Sequence, residues 1–299
     1  MSKSFFLNRK DRVLELFGLI WIIDGLLQFQ PKLLSKQFIS NVLNPLFVNG
    51  NSIIVSLYHS LTKVFLLSPI FFGILIGLIQ ISLGIFIITK KFRIKALYFS
   101  IGWSLFIWIF GQDLGGLFNH QFSFFMSSLG PAFFYFSLSL YFLLLSKKRD
   151  LAAFMTIVIS WISFWLSGLL SSILNPNIFK SMLIMPVESK PPIFLRNINL
   201  KLFNFTYSHI DLIVVLVIII SIYSLFFYFL PKNLSKYLNI IWVLLLLYVL
   251  FYVQSLGQFY SGLMTDVGYV PLILLIGYTV WSSSVYVNLL IERIEKKIF

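Results

Sequence analysis

The chain of 299 residues contains no cysteine. That absence excludes disulfides, thiolate nucleophiles, cysteine-held iron–sulfur clusters and cysteine-ligated zinc. Charge is scarce too: charged residues make up 11% of the chain, against about 25% in an ordinary soluble domain. Acid is the rarer sign, with 10 Asp and Glu against 23 Lys and Arg. Histidine occurs only as His59, His120 and His209, all outside the long apolar runs, which argues against bis-histidine haem in a bilayer. A Walker loop, a dinucleotide fingerprint, a nucleophile elbow and a zincin motif are all missing, so nothing marks a self-contained soluble enzyme.

What remains is apolar. Apolar residues make up 59% of the chain and aromatics 18%, with 34 Phe and a mean hydropathy of +0.93. The apolar runs exceed the length needed to cross ~30 Å of hydrocarbon. The pattern predicts an all-α integral membrane protein with eight transmembrane helices, over residues 13–30, 66–89, 95–111, 130–146, 151–173, 210–230, 237–257 and 269–291. The first run leads into Gln28, Gln30 and Pro31 with no small-residue cleavage site, so it reads as a retained helix.

The basic residues lie in short clusters between these runs. Sixteen of the 23 fall in 1–12, 90–95, 147–150, 231–236 and 292–299, and seven fall in two long loops, 31–65 and 174–209. That asymmetry predicts a multi-pass cell-membrane protein with both termini cytoplasmic. The formal net charge of +13 is then an orientation signal in contact with anionic lipid. It implies no nucleic-acid partner, because no basic stripe adjoins base-stacking aromatics. The long outer loops carry apolar residues of their own, such as Phe38, Ile39, Val42 and Leu43. They fit either amphipathic segments on the outer surface or a cap over the bundle.

A repeat runs through the chain. Gly111-Gln112-Asp113-Leu114-Gly115-Gly116-Leu117 closes one apolar run, and Gly257-Gln258-Phe259-Tyr260-Ser261-Gly262-Leu263 closes another, with four of seven residues matched. A proline follows each copy (Pro131, Pro271), and a proline closes the first run of each half (Pro31, Pro176). A period of half the chain predicts two tandem four-helix modules, 1–150 and 151–299. Four helices being an even number, the modules point the same way and are related by an axis along the membrane normal.

The first half resembles an uncharacterised prokaryotic group of membrane proteins related to DoxX/DoxD. The resemblance rests on Trp21-Ile22-Ile23-Asp24-Gly25-Leu26-Leu27-Gln28-Phe29-Gln30-Pro31 and on Gly111–Phe118, and the second half is similar to a diverged half of the same family. The family usually carries an acidic residue where Gln112 stands, so the chain departs from it there. The resemblance implies a four-helix module. One branch of the group is the membrane subunit of a thiosulfate:quinone oxidoreductase, which implies a quinone as cofactor and other membrane subunits as partners.

Asp24 is the sharpest single signal. An ionisable group inside an apolar run costs about 2.5–3.5 kcal/mol on insertion scales, so it faces protein, a partner or water. Gln28 lies four residues on, on the same helical face; Ser104 and Gln112 are the other expected partners. The polar cluster expected at a quinone headgroup is Asp24, Gln28, Gln112, Asp113 and Gln258. The glycines beside the two glutamines read as close helix contacts, and the glutamines as donors and acceptors between helices. Asp113 and Asp266 also read as solvated. The three histidines, with Asp113, Glu188 or Asp211, are weak candidates for an outer metal site, since no HxxxH or ExxH spacing supports one. Three functions fit: a quinone-proximal, non-catalytic subunit of a membrane redox complex; a small transporter or channel lined by Asp24, Gln28 and Gln112; or a structural assembly protein.

Overall fold

The computed structural model describes residues 3–47, 52–116, 125, 129–174, 176–177, 180–183, 191–227, 230, 232–254 and 256–282. Among these the chain is all-α, with no strand. The helices are α1 (Lys3–Leu27), α2 (Ser52–Leu67), α3 (Pro69–Ile88), α4 (Arg93–Phe110), α5 (Pro131–Ser146), α6 (Asp150–Leu174), α7 (Ile193–Ser208), α8 (Ile210–Leu225), α9 (Lys232–Tyr248) and α10 (Val270–Ser282). Prolines open α3 and α5, where a missing N–H costs nothing.

Among the described residues four stretches are long and apolar enough to cross a membrane: α3, α4, α6 and Leu234–Ser261. The pair α7 and α8, bent by 86° at His209, would add a fifth. The eight expected spans are therefore met only in part. Helix α1 carries Asp11, Arg12, Glu15 and Asp24 within its length, α5 has 16 residues, and α10 is described only to Ser282. An α-helix of 16 residues is about 24 Å long, short of the hydrocarbon thickness.

Glycines set the closest helix pair. α1 and α3 run antiparallel, with Gly18 against Gly84 and Gly25 against Gly77, seven residues apart on each helix. A Cβ on Gly84 would stand 2.4 Å from Gly18 O. Small residues in register let the two backbones meet, as membrane helix pairs require.

The two sequence modules share one core. The Phe134 ring of α5 meets Phe164 of α6 edge to face at 5.9 Å, and Phe164 meets Tyr269 at 5.5 Å. Trp161 of α6 donates its indole N–H to Ser224 O of α8 (3.0 Å). Two of the expected basic turns, 90–95 and 147–150, meet at one end of the bundle. There Arg93 pairs with Asp11 at 3.1 Å, and Lys147 bonds the Tyr98 hydroxyl.

The first long loop is a cover. Phe38 packs on Phe65 (5.3 Å), Phe47 stacks on Tyr58 (4.0 Å), and Tyr58 donates to Asn44 Oδ1 at 2.5 Å. These contacts hold residues 38–47 and 52–67 together as short helices over the bundle end opposite the turns at 90–95 and 147–150. Ile53, Leu57 and Leu67 on its far face remain exposed.

Candidate functional site

Beneath this cover lies a cavity of about 870 Å³. Its walls are mostly apolar: Phe72, Leu75, Ile76 and Ile79 of α3, Phe106, Ile107 and Phe110 of α4, and the inner face of the cover. At its polar end are Asp24, Gln28, Gln80, Ser104, Gln112, Tyr135, Thr265 and Asp266. Among the described residues no Lys, Arg or His lines it, so Asp24 and Asp266 have no basic side chain beside them in that lining.

Asp24 is buried, and both its oxygens are engaged. Oδ2 accepts the Tyr135 hydroxyl, and Oδ1 accepts the Val267 N–H at 2.9 Å. Tyr135 lies one turn into α5 and packs on Trp21 at 4.2 Å between ring centroids. The expected partners were Gln28, Ser104 and Gln112, and the structure corrects all three. Gln28 reaches only the backbone carbonyl of Asp24, at 3.4 Å, because an i+4 side chain at the last turn meets the carbonyl its helix leaves free.

Gln28 and its neighbours hold a segment of the second half. Lys32 Nζ donates to Ser261 O (2.5 Å), Gln30 Nε2 to Met264 O (2.8 Å) and Gln28 Nε2 to Thr265 O (2.6 Å). With Val267 N on Asp24, four bonds run in antiparallel order along residues 261–267. The strap so fixed carries Thr265 and Asp266 to the cavity. Asp266 accepts from Gly268 N (2.8 Å) and from the Thr265 hydroxyl (3.0 Å). Burial holds its carboxyl above the usual carboxylate range, and these two bonds pull it part of the way back.

Gln112 lines the cavity but also has a structural task. Its Oε1 accepts the Ala132 N–H at 3.0 Å, satisfying a free donor in the first turn of α5. The glycines beside it serve a turn rather than the close helix contact expected. Asp113, Leu114, Gly115 and Gly116 all have positive φ, and a Cβ on Gly115 would fall 2.3 Å from the Leu129 carbonyl carbon. Asp113 is buried in that turn and lies outside the cavity lining, so it is not solvated as expected. Asp266, by contrast, is half-buried at the cavity.

The second motif takes another path. Leu256–Ser261 forms a 3₁₀ turn, and Gln258, at φ +55, stays outside the lining. The side chain placed like Gln112 is Gln254. Its Oε1 lies 2.9 Å from where a Cβ of Gly268 would stand, as Gln112 Oε1 faces Gly130. Gln258 therefore does not take the place at a glycine turn that Gln112 has.

Among the described residues the metal candidates do not converge. His59 is exposed on α2 beside the Tyr58 ring, and His209 sits at the α7–α8 bend, its Nδ1 2.9 Å from Phe205 O. Asp211 pairs with Lys180 (2.7 Å). His120 and Glu188 lie outside the described residues, among which no three His, Asp or Glu side chains form a ligand group.

Sequence reasoning missed Gln80 and Tyr135. Gln80 had a readable signal, being the one strongly polar side chain within α3. Tyr135 had none, since only the helix crossing brings it to Asp24. No family model, curated protein or solved structure matches the chain.

Proposed function

We propose that the protein is an integral membrane subunit of DoxX/DoxD-like type that binds a lipid-soluble quinone beside a membrane redox complex. The observation that carries this reading is the cavity: largely apolar walls, with a carboxyl–phenol pair and three glutamines at one end. Ligand sites for small molecules have this composition, apolar walls with a few placed polar groups. An apolar chamber of this kind suits a lipid-soluble ring better than an ion path, which needs polar walls along its length.

In this reading the chain spans the cell membrane eight times with both termini cytoplasmic, as two tandem modules. The repeated order of elements supports the duplication: in each half come a long helix, a loop, a 16-residue helix broken from the next, then a helix, a glycine turn and a last helix. Reporter fusions after Arg149 and after Phe299 are expected to read cytoplasmic at both points. An external reading at either overturns the topology.

Gentle purification followed by solvent extraction should recover a quinone in stoichiometric amount, together with partner subunits. Asp24→Asn keeps the shape and one acceptor oxygen, so it should assemble normally yet retain about tenfold less quinone, the cost of a lost charge-assisted bond. Full retention in that variant removes Asp24 from the binding site.

A further inference from the structure

The polar end of the cavity has an uneven supply of hydrogen-bonding groups. Its two acidic groups, Asp24 and Asp266, have no basic side chain beside them among the described lining residues. Gln80 Oε1 is buried with no hydrogen-bond partner among the described residues. The lining also holds donors with no partner among the described residues, the indole N–H groups of Trp21 and Trp103 and the Ser104 hydroxyl. A buried polar atom without a partner is costly, and the ligand that completes this set must both donate and accept.

We propose, resting on the quinone reading above, that the site selects the reduced quinol over the oxidised quinone. A quinol hydroxyl donates its proton to a carboxyl or amide oxygen and accepts from an indole N–H through the same atom. A quinone carbonyl only accepts. It satisfies the indoles but leaves Gln80 Oε1 unpaired and sets its own oxygen against the carboxyls. Discrimination here comes from repulsion as much as from attraction. A site built to bond a hydroxyl rejects the analogue that cannot donate, because its own buried acceptors stay empty. The inference concerns binding alone and involves no electron transfer within the chain.

The test uses the full chain in lipid nanodiscs, with empty nanodiscs subtracted. Radiolabelled decyl-benzoquinone and its reduced quinol are titrated separately, the latter without oxygen. The expected result is quinol binding at least about tenfold tighter, the effect of one to two unsatisfied hydrogen bonds. Gln80→Met keeps the volume and removes the acceptor, and Asp266→Asn removes one carboxyl. Each should weaken quinol by about fivefold and leave quinone unchanged or stronger, narrowing the ratio. Equal or tighter quinone binding by the unaltered protein overturns the selectivity and leaves the quinone reading standing. A ratio unmoved in both variants also overturns it. Binding of neither form removes the quinone reading itself. If Gln80→Met fails to fold, the unaltered protein and Asp266→Asn still decide the matter.

Discussion

Gly84→Val is expected to abolish most folded protein. The Cβ would meet Gly18 O at 2.4 Å, Ile22 Cγ1 at 2.6 Å and Ile22 N at 2.9 Å. Two of these are backbone atoms, so α1 and α3 must separate rather than repack. Overpacking in a tight core costs typically about 1–3 kcal/mol, and separating two backbones places this variant at or above the upper end. The internal control is Gly102→Ala. Nothing lies within 4 Å of a Cβ there, so the helix gains up to about 1 kcal/mol from the better former. Thermal challenge followed by size-exclusion chromatography reads both. A Gly84→Val protein as heat-resistant as the parent would refute the glycine-paired contact. Loss in Gly102→Ala would mean that α4 covers a face described as open.

Asp24→Leu is expected to be the second large loss, and its pattern identifies the cause. The substitution strips the acceptor from two donors, the Tyr135 hydroxyl and the Val267 N–H. Each buried donor left unsatisfied costs about 1–3 kcal/mol. Removing the Tyr135 hydroxyl as well relieves one of those penalties. Asp24→Leu with Tyr135→Phe should therefore be more stable than Asp24→Leu alone by about 1 kcal/mol, a coupling measured by a double-mutant cycle. Strict additivity would show that the hydroxyl does not depend on Asp24. The loss at Val267 remains in both, so the strap 261–267 should become cleavable by added protease in each Asp24→Leu background.

The sequence shows where charge is rare and where it recurs, and that is why Asp24 was legible. One acid in an apolar run carries an energetic demand whatever the fold. The helix start at Pro131 was legible for the same kind of reason, since proline fixes φ and lacks a donor. The cover was half legible. Its apolar residues were visible, but whether Phe38 and Phe65 lie on a membrane surface or over a cavity depends on what stands beneath them. The match of Gln112 with Gln258 did not extend to the site, because letters matched at fixed spacing do not say which side chain faces a glycine turn.

By itself, then, the sequence determined an all-α, apolar chain, the rough limits of most helices, and the presence of an acid that must be shielded. Each of these follows from local propensity or from the cost of taking a group out of water, and neither depends on distant residues. Only the tertiary structure decided that Tyr135 and Val267 shield Asp24, 111 and 243 positions away. The same holds for the strap that brings Asp266 to the cavity, and for the seating of Gln80 at its polar end. Those choices rest on the angle and register at which α1, α3 and α5 pack. The Gly18–Gly84 and Gly25–Gly77 contacts set that register for α1 and α3. Side-chain spacing along one helix carries no information about which face of another will meet it.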